Sequence, residues 1–228
     1  MNTQGVIWQH FQNERQDSFA GSRPRLTFLI RQIAKRASAR PSVLNVGIGE
    51  GYFDRQAKLR GWKIESIDPD VQTVARLRAE GITAHVGWVE KLPQASGSMD
   101  FVAVSEVLEH LTDEQSRAGL AEISRVLKPG GLVVGTVPHA ENLIAQQVIC
   151  PQCSHVFHRW GHQRSLTVPQ VRAMLSAQFV VESIGRTAFV DLRSRGILGF
   201  LKGTVRIGLA KLGEPIAVPT IWWVARKS

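Results

Sequence analysis

Val43-Leu44-Asn45-Val46-Gly47-Ile48-Gly49-Glu50-Gly51 decides the fold. A short apolar run ends in glycines at alternate positions, which predicts a buried strand entering a tight turn. Glycine has no Cβ, so it takes positive φ and lets a ligand approach the main chain closely. After the first strand of an α/β sheet, such a turn is where a nucleotide-like cofactor sits. Strand-to-helix turns also use glycine for purely structural reasons, so the flanking segments carry the decision.

The apolar segment Trp62-Lys63-Ile64-Glu65-Ser66-Ile67 ends at Asp68. One helix and one return strand fit between Gly49 and Asp68, and a carboxylate at the tip of a second strand accepts both hydroxyls of a ribose. Pro69 follows, so an N-cap role for Asp68 is also open. The spacing is G-x-G-x-G rather than the dinucleotide G-x-G-x-x-G. With Asp68, it resembles class I S-adenosylmethionine-dependent methyltransferases, in the manner of methyltransferase types 11 and 23. The resemblance continues through Ser98-Met99-Asp100-Phe101-Val102-Ala103-Val104, through Glu106-Val107-Leu108-Glu109-His110-Leu111, and through the stretch from Glu122 to Gly131.

This resemblance implies an α/β fold with a Rossmann-like, seven-stranded, mostly parallel sheet and helices on both faces. It also implies S-adenosylmethionine (SAM) as cofactor, held by Asn45, Gly47, Gly49, Gly51, Asp68, Trp88 and Glu106. Two positions depart from the family pattern. Asn45 stands where an acidic residue often opens the glycine motif, and an amide lacks the charge to pair with the cofactor's amino group. Trp88 stands where relatives carry an Asp; its indole walls the adenine or belongs to the core. Asp100 opens the fourth strand as a site residue or as a solvated strand start.

Patterning predicts alternating elements: strand 42–47, helix 52–60, strand 63–68, helix 70–80, strand 82–88, strand 99–105, helix 112–127 and strand 131–137. A helix over 167–177 capped by Thr167 and antiparallel strands over 179–187 and 220–226 complete the set. Residues 1–40 read as a helical cap, with Ile7, Trp8, Phe11 and Phe19 in one short element and Leu26, Leu29, Ile30 and Ile33 on one stripe of the next. The SAM-binding domain covers 41–228. Two stretches do not belong to its bare core, 139–165 and 188–218, and substrate choice is expected there and in the cap.

The chain has 228 residues, enough for one such domain with insertions. Apolar runs are far short of a membrane span, and the first residues lack a signal-peptide pattern, so a cytoplasmic location is the expectation. Two cysteines make no disulfide framework. The formal charge is +9, from 28 Lys and Arg against 19 Asp and Glu, with much of the excess toward the two ends. That favours a polyanionic partner, RNA or an anionic membrane surface, against the alternative of a scattered solubilising surface.

Cys150-x2-Cys153-x4-His158-x3-His162 has the ligand types and compact spacing of a small zinc knuckle that would pin the 139–165 insertion. The alternative is two free thiols beside unrelated histidines. His162 has a competing role. Glu106, Glu109 and His110 form E-x-x-E-H, and with a later His this is similar to small-RNA 3′-end 2′-O-methyltransferases and ubiquinone-biosynthesis O-methyltransferases. The resemblance implies that these residues hold Mg or another divalent ion that lowers the acceptor's pKa. In other relatives the same segment caps a helix, lines the pocket or serves as acid and base. Without an ion, His110 is the expected general base, because an unperturbed imidazole titrates near neutrality. His139, after Pro138 at the end of a strand, is the second candidate base.

Over 195–212, Ile197, Leu198, Leu201, Val205, Leu209 and Leu212 share one helical stripe, with Arg195, Lys202, Arg206 and Lys211 on the other face. A lid helix packed on the core or lining an apolar substrate pocket is the preferred reading, and its glycines, Gly196, Gly199, Gly203 and Gly208, suit mobility. The second reading is peripheral contact with an anionic membrane. The function expected is SAM-dependent methyl transfer to an oxygen of a small-molecule or lipid-like acceptor. The alternatives are an RNA 2′-O-methyltransferase with a divalent ion, and a zinc-stabilised scaffold that binds SAM without catalysis.

Overall fold

The computed structural model describes residues 3–190, 196–214 and 218–228. The side chains of Trp8, Ile197 and Leu198, and the whole of Arg195, lie outside the described parts. The strands are β1 (Ser42–Val46), β2 (Lys63–Asp68), β3 (Thr83–Val86), β4 (Met99–Ser105), β5 (Leu127–Pro138), β6 (Gln147–Ile149), β7 (Val156–His158), β8 (Phe179–Thr187) and β9 (Thr220–Lys227). The helices are α1 (Thr3–Asn13), α2 (Arg23–Ala34), α3 (Tyr52–Leu59), α4 (Val71–Ala79), α5 (Asp113–Val126), α6 (Val168–Ser176) and α7 (Gly196–Leu212).

Seven strands form one sheet in the order β3-β2-β1-β4-β5-β9-β8. Pairing is parallel from β3 through β5, and β9 is antiparallel to both β5 and β8. The chain runs outward from β1 to β3, then returns to β4 on the other flank of β1. This reversal opens a crevice at the carboxyl ends of β1 and β4, the place where open α/β sheets bind ligands.

Alternation along each strand explains the layers. Leu44, Val46, Val102 and Val104 face one side, where they pack with Leu120, Ile123 and Val126 of α5 and Val171 and Leu175 of α6. Val43, Phe101 and Ala103 face the other, against Leu29 and Ile33 of α2, Phe53 of α3, and Val74 and Leu77 of α4. Both faces are covered, which is why these strands read as nearly continuous apolar runs. Gly135 is demanded by close packing: a Cβ there would run into the Trp223 ring and the Val104 carbonyl.

Three local expectations change. The cap of α4 is Asp70, whose carboxylate accepts from Thr73 N at 2.6 Å, and not Asp68. The third strand stops at Val86, short of Trp88, and the bond from Gly87 N to the Asp68 carbonyl is the last of its ladder with β2. The 188–218 insertion forms α7, but its apolar stripe is not packed on the core. Leu201, Val205 and Leu212 are 56%, 62% and 76% exposed, while Gly203 and Ala210 are buried. Small residues let the helix backbone approach its support, so they took the inner face.

Candidate cofactor and acceptor site

The glycine turn joins β1 to α3 with φ of 85° at Gly47, 57° at Gly49 and 84° at Gly51. A Cβ on Gly47 would meet Val107 at 3.0 Å, and one on Gly49 would meet the Phe19 ring at 3.3 Å. The turn is therefore closely roofed as well as left-handed. Asp68 stands at the tip of β2, 2% exposed. Its Oδ2 accepts from Ile48 N at 2.9 Å and from Gln12 Nε2 at 3.0 Å, and its Oδ1 from Asp70 N at 2.9 Å. Burial raises its pKa while these N–H donors oppose the rise.

Gln12, which no motif announced, reaches Asp68. It lies on α1, is 5% exposed, and its Oε1 has no hydrogen-bond partner. Arg76 of α4 fastens this cap to the turn, donating to Gln12 O at 3.2 Å, Asn13 Oδ1 at 3.2 Å and Gly49 O at 3.1 Å.

Asn45 requires correction. Its side chain is buried, and its Nδ2 donates to Asp54 of α3 at 3.0 Å and to Gly47 O at 3.3 Å, so the amide is engaged by the protein itself. It braces the turn. Desolvation lifts Asp54 to about 6, against hydrogen bonds from Ser66 and Asn45 that favour its charged form. The core reading of Trp88 also fails, because the indole is 60% exposed beyond β3. Asp100 lies at the opposite, amino-terminal end of β4, where Lys128 at 2.7 Å and Ser42 N at 2.8 Å bind it. It is a strand-start ion pair, not part of the crevice.

Glu106, just past β4, has φ 56°, a left-handed backbone that strains a residue with a Cβ. Its Oε2 is 3.6 Å from Arg25 Nη1, and its Oε1 is buried without a hydrogen bond. Strain of this kind persists where the surroundings over-determine it, commonly at ligand sites.

Next to it lies a group of five titratable side chains, of which Glu109 and His158 are buried and His110, Glu141 and His162 partly buried. Glu109 and His110 occupy the turn Leu108–His110, while Glu141, His158 and His162 come from the 139–165 insertion. The backbone N–H groups of Gln163 and Arg164 both donate to Glu109 O, at 2.9 and 3.2 Å, tying the insertion to this turn. The rings of His110 and His162 lie 4.7 Å apart, and those of His158 and His162 4.6 Å.

Hydrogen bonds assign the ring protons. His158 Nδ1 accepts from Trp160 N at 3.3 Å and His162 N at 3.1 Å, so its proton sits on Nε2, which faces Glu141 Oε1 at 3.5 Å. His162 Nδ1 donates to Glu141 Oε2, and His110 Nδ1 to the Gly161 carbonyl at 3.2 Å. Both therefore carry their lone pair on Nε2. Burial, reinforced by His162, pushes His110 down to about 3, so it is neutral and a much weaker base than expected. Burial, then the neighbouring Glu106, raises Glu109 well above the usual carboxylate range, and neither of its oxygens has a hydrogen bond.

Two triplets bring one donor atom each within 4.8 Å of one another: Glu109 with His110 and His162, and Glu141 with His158 and His162. The second is proton-filled, because His158 spends its lone pair on backbone N–H groups. The first has the donor set of a cation site, with each imidazole oriented through its other nitrogen as metal-binding histidines are. Cys150 and Cys153 join neither, so the four-ligand knuckle is corrected. In the β6–β7 hairpin Gln147 pairs with His158, which puts His158 at the base of the hairpin while the cysteines occupy its tip. His139 is also changed in role. Its Nε2 faces Arg186 Nη1 at 3.2 Å, and burial and that guanidinium lower its pKa. The ring thus holds its proton on Nδ1 and offers a donor rather than a base.

The sheet order, the glycine crevice and the acid at the tip of β2 give this chain the fold of class I SAM-dependent methyltransferases, and its sequence is similar to theirs over part of its length. Residues 44–135 match the family described as methyltransferase domain. Malonyl-[acyl-carrier protein] O-methyltransferase of Serratia marcescens is 32% identical over 123 residues, 50% of this chain and 48% of that protein. Demethylmenaquinone methyltransferase of Chlorobaculum parvum is 34% identical over 94 residues, 40% of this chain and 38% of that one. The chain thus aligns with less than half the length of these curated relatives.

Among solved structures, N-methyltransferase NodS from Bradyrhizobium japonicum, in complex with S-adenosyl-L-homocysteine, superposes with TM-score 0.66 at 18% identity, covering 100% of this chain and 99% of that one. A putative methyltransferase from Haloferax volcanii, in complex with the Trm112 activator, gives TM-score 0.68 at 19% identity, covering 96% and 97%. At these identities the likeness speaks for the fold.

Proposed function

We propose that the protein transfers the methyl group of SAM to an oxygen of a small-molecule or lipid-like acceptor. The observation that carries the reading is the meeting of two devices at one sheet edge: a close-packed left-handed glycine turn facing Asp68, and a partly buried imidazole–carboxylate group immediately beyond Glu106. Gly47, Gly49 and Gly51 let the cofactor lie against the backbone. Asp68 and the free Oε1 of Gln12 receive the ribose hydroxyls, and Trp88 walls the adenine. Glu106 closes the cofactor cavity beside Arg25.

Methyl transfer asks mainly for alignment, since the sulfonium is already activated. A hydroxyl acceptor also needs a proton acceptor. His162 fills that role better than His110, because Glu141 orients its ring and stabilises the imidazolium that forms. Relatives named for O-methyl and for N-methyl transfer both resemble this chain, so the preference for oxygen rests on this basic group and not on the relatives.

A second reading is favoured by the unbonded oxygens of buried Glu109. Glu109, His110 and His162, with Glu106 beside them, would hold a divalent ion, and such an ion lowers the pKa of a bound hydroxyl. Incubating the protein and methyl-labelled SAM with cell extract, then separating lipid, small-molecule, RNA and protein fractions, tests the proposal. Label in lipid or small molecules that resists mild acid and survives as an ether or ester supports it. Label in RNA overturns the acceptor class, and SAM binding without any label overturns catalysis.

A further inference from the structure

α7 meets the rest of the fold through its smallest residues. Buried Gly203 and Ala210, with partly buried Ile207 and Leu209, lie toward Ala188 and Val190 beyond β8. At 3.6 residues per turn, Leu201, Val205 and Leu212 fall within about 40° of one another on the opposite side. All three are exposed, and Phe200 beside them is 51% exposed. Lys202 and Arg206 border this stripe on one flank and Lys211 on the other, all exposed, and the helix contains no acidic residue.

An apolar stripe bordered on both sides by cations complements a surface that is apolar inside and negatively charged outside. The whole chain carries the same sign, +9. Among the described residues no helix is long and apolar enough to cross a membrane, so a helix of this type lies along the interface. The same helix is tied to the acceptor end of the fold: Arg186, which faces His139, also donates to the Lys211 carbonyl at 3.3 Å.

We infer that α7 is a membrane-surface docking element. Leu201, Val205 and Leu212 enter the acyl boundary of an anionic bilayer, and Lys202, Arg206 and Lys211 meet its headgroups. Docking is independent of the cofactor reading. Where that reading holds, it narrows the acceptor to a lipid-borne molecule delivered at the His139 end of the sheet.

Vesicle flotation of the full chain tests the inference, with phosphatidylcholine alone and with phosphatidylcholine mixed with phosphatidylglycerol. The protein floats with the mixed vesicles, floats little with the neutral ones, and releases as salt is raised. Leu201→Asp with Val205→Asp lowers the partition at least about tenfold, and Lys202→Ala with Lys211→Ala lowers it about thirtyfold. S-adenosylhomocysteine binding, read by calorimetry, stays unchanged in all variants and reports that they fold. No flotation, equal flotation with both vesicles, or indifference to the Asp pair overturns the inference. A dimer in sedimentation that the Asp pair dissolves assigns the stripe to a second copy and overturns it too. Flotation by a protein that binds no S-adenosylhomocysteine upholds docking and sinks the methyltransferase reading instead.

Discussion

The cofactor half and the acceptor half of this molecule sit side by side on one sheet edge but are built in different ways. On the cofactor side, the constraint is backbone shape: three glycines of positive φ and a carboxylate fixed by two main-chain N–H groups. On the acceptor side, side chains from distant segments converge, with Glu109 and His110 meeting His162 and Glu141 across about thirty to fifty residues of sequence. Backbone shape leaves a local signature in sequence, whereas convergence of side chains leaves none until the insertion is folded. The first half therefore predicts what the protein binds, and on the proposed function the second decides what it methylates.

The comparison breaks most sharply if one half disturbs the other. Gly49→Arg places a long side chain at a left-handed position under Phe19, and S-adenosylhomocysteine binding falls below detection in calorimetry while the circular dichroism spectrum persists. Retained affinity removes the turn from the cofactor site. His162→Ala lowers turnover about 10²- to 10⁴-fold, with S-adenosylhomocysteine affinity within about twofold of wild type, the additivity expected of separate sites. A matched loss of affinity shows that the halves are not separate.

The glycine turn also carries a pH signature. Asp54 behind it titrates near 6 in the fold, above its ordinary value of 3.8, so the folded state binds the extra proton between those limits. Its contribution to stability is largest below that window and falls by about 3 kcal/mol as pH rises through it. Denaturant midpoints for wild type and Asp54→Asn diverge across this range, the variant losing that part of the slope. Parallel curves contradict the burial of a titrating acid there. The smallest expected effect belongs to Gln12→Ala, which weakens S-adenosylhomocysteine about tenfold by removing a buried hydrogen-bond partner. Asn13→Ala, which loosens the same cap without touching Asp68, weakens it less. Equal losses make Gln12 a cap residue only.

What was legible follows the same division. The alternating strands and helices of the core follow from period-2 and period-3.6 patterns, which register burial directly, while the seven-stranded sheet and Asp68 at the tip of its second strand follow from the glycine motif, its spacing and the family resemblance. Gln12 escaped because a single polar residue in an amphipathic cap has no spacing partner. The zinc expectation misled because linear C-x2-C-x4-H-x3-H spacing ignores strand register, which separates the hairpin tip from its base. Glu141 was passed over because its importance lies in pairing with His162, 21 residues away. α7 is a helix as its periodicity predicts, but glycine and alanine, which hydropathy ranks low, form the packing face together with Leu209 of the expected stripe.

Hydrogen–deuterium exchange of the wild-type protein with and without S-adenosylhomocysteine tests the central claim most directly. The account predicts slowed exchange in residues 45–51, 67–70 and 10–13, and unchanged exchange in the β6–β7 hairpin and α7. Protection centred on 139–165, with the glycine turn unaffected, would contradict it.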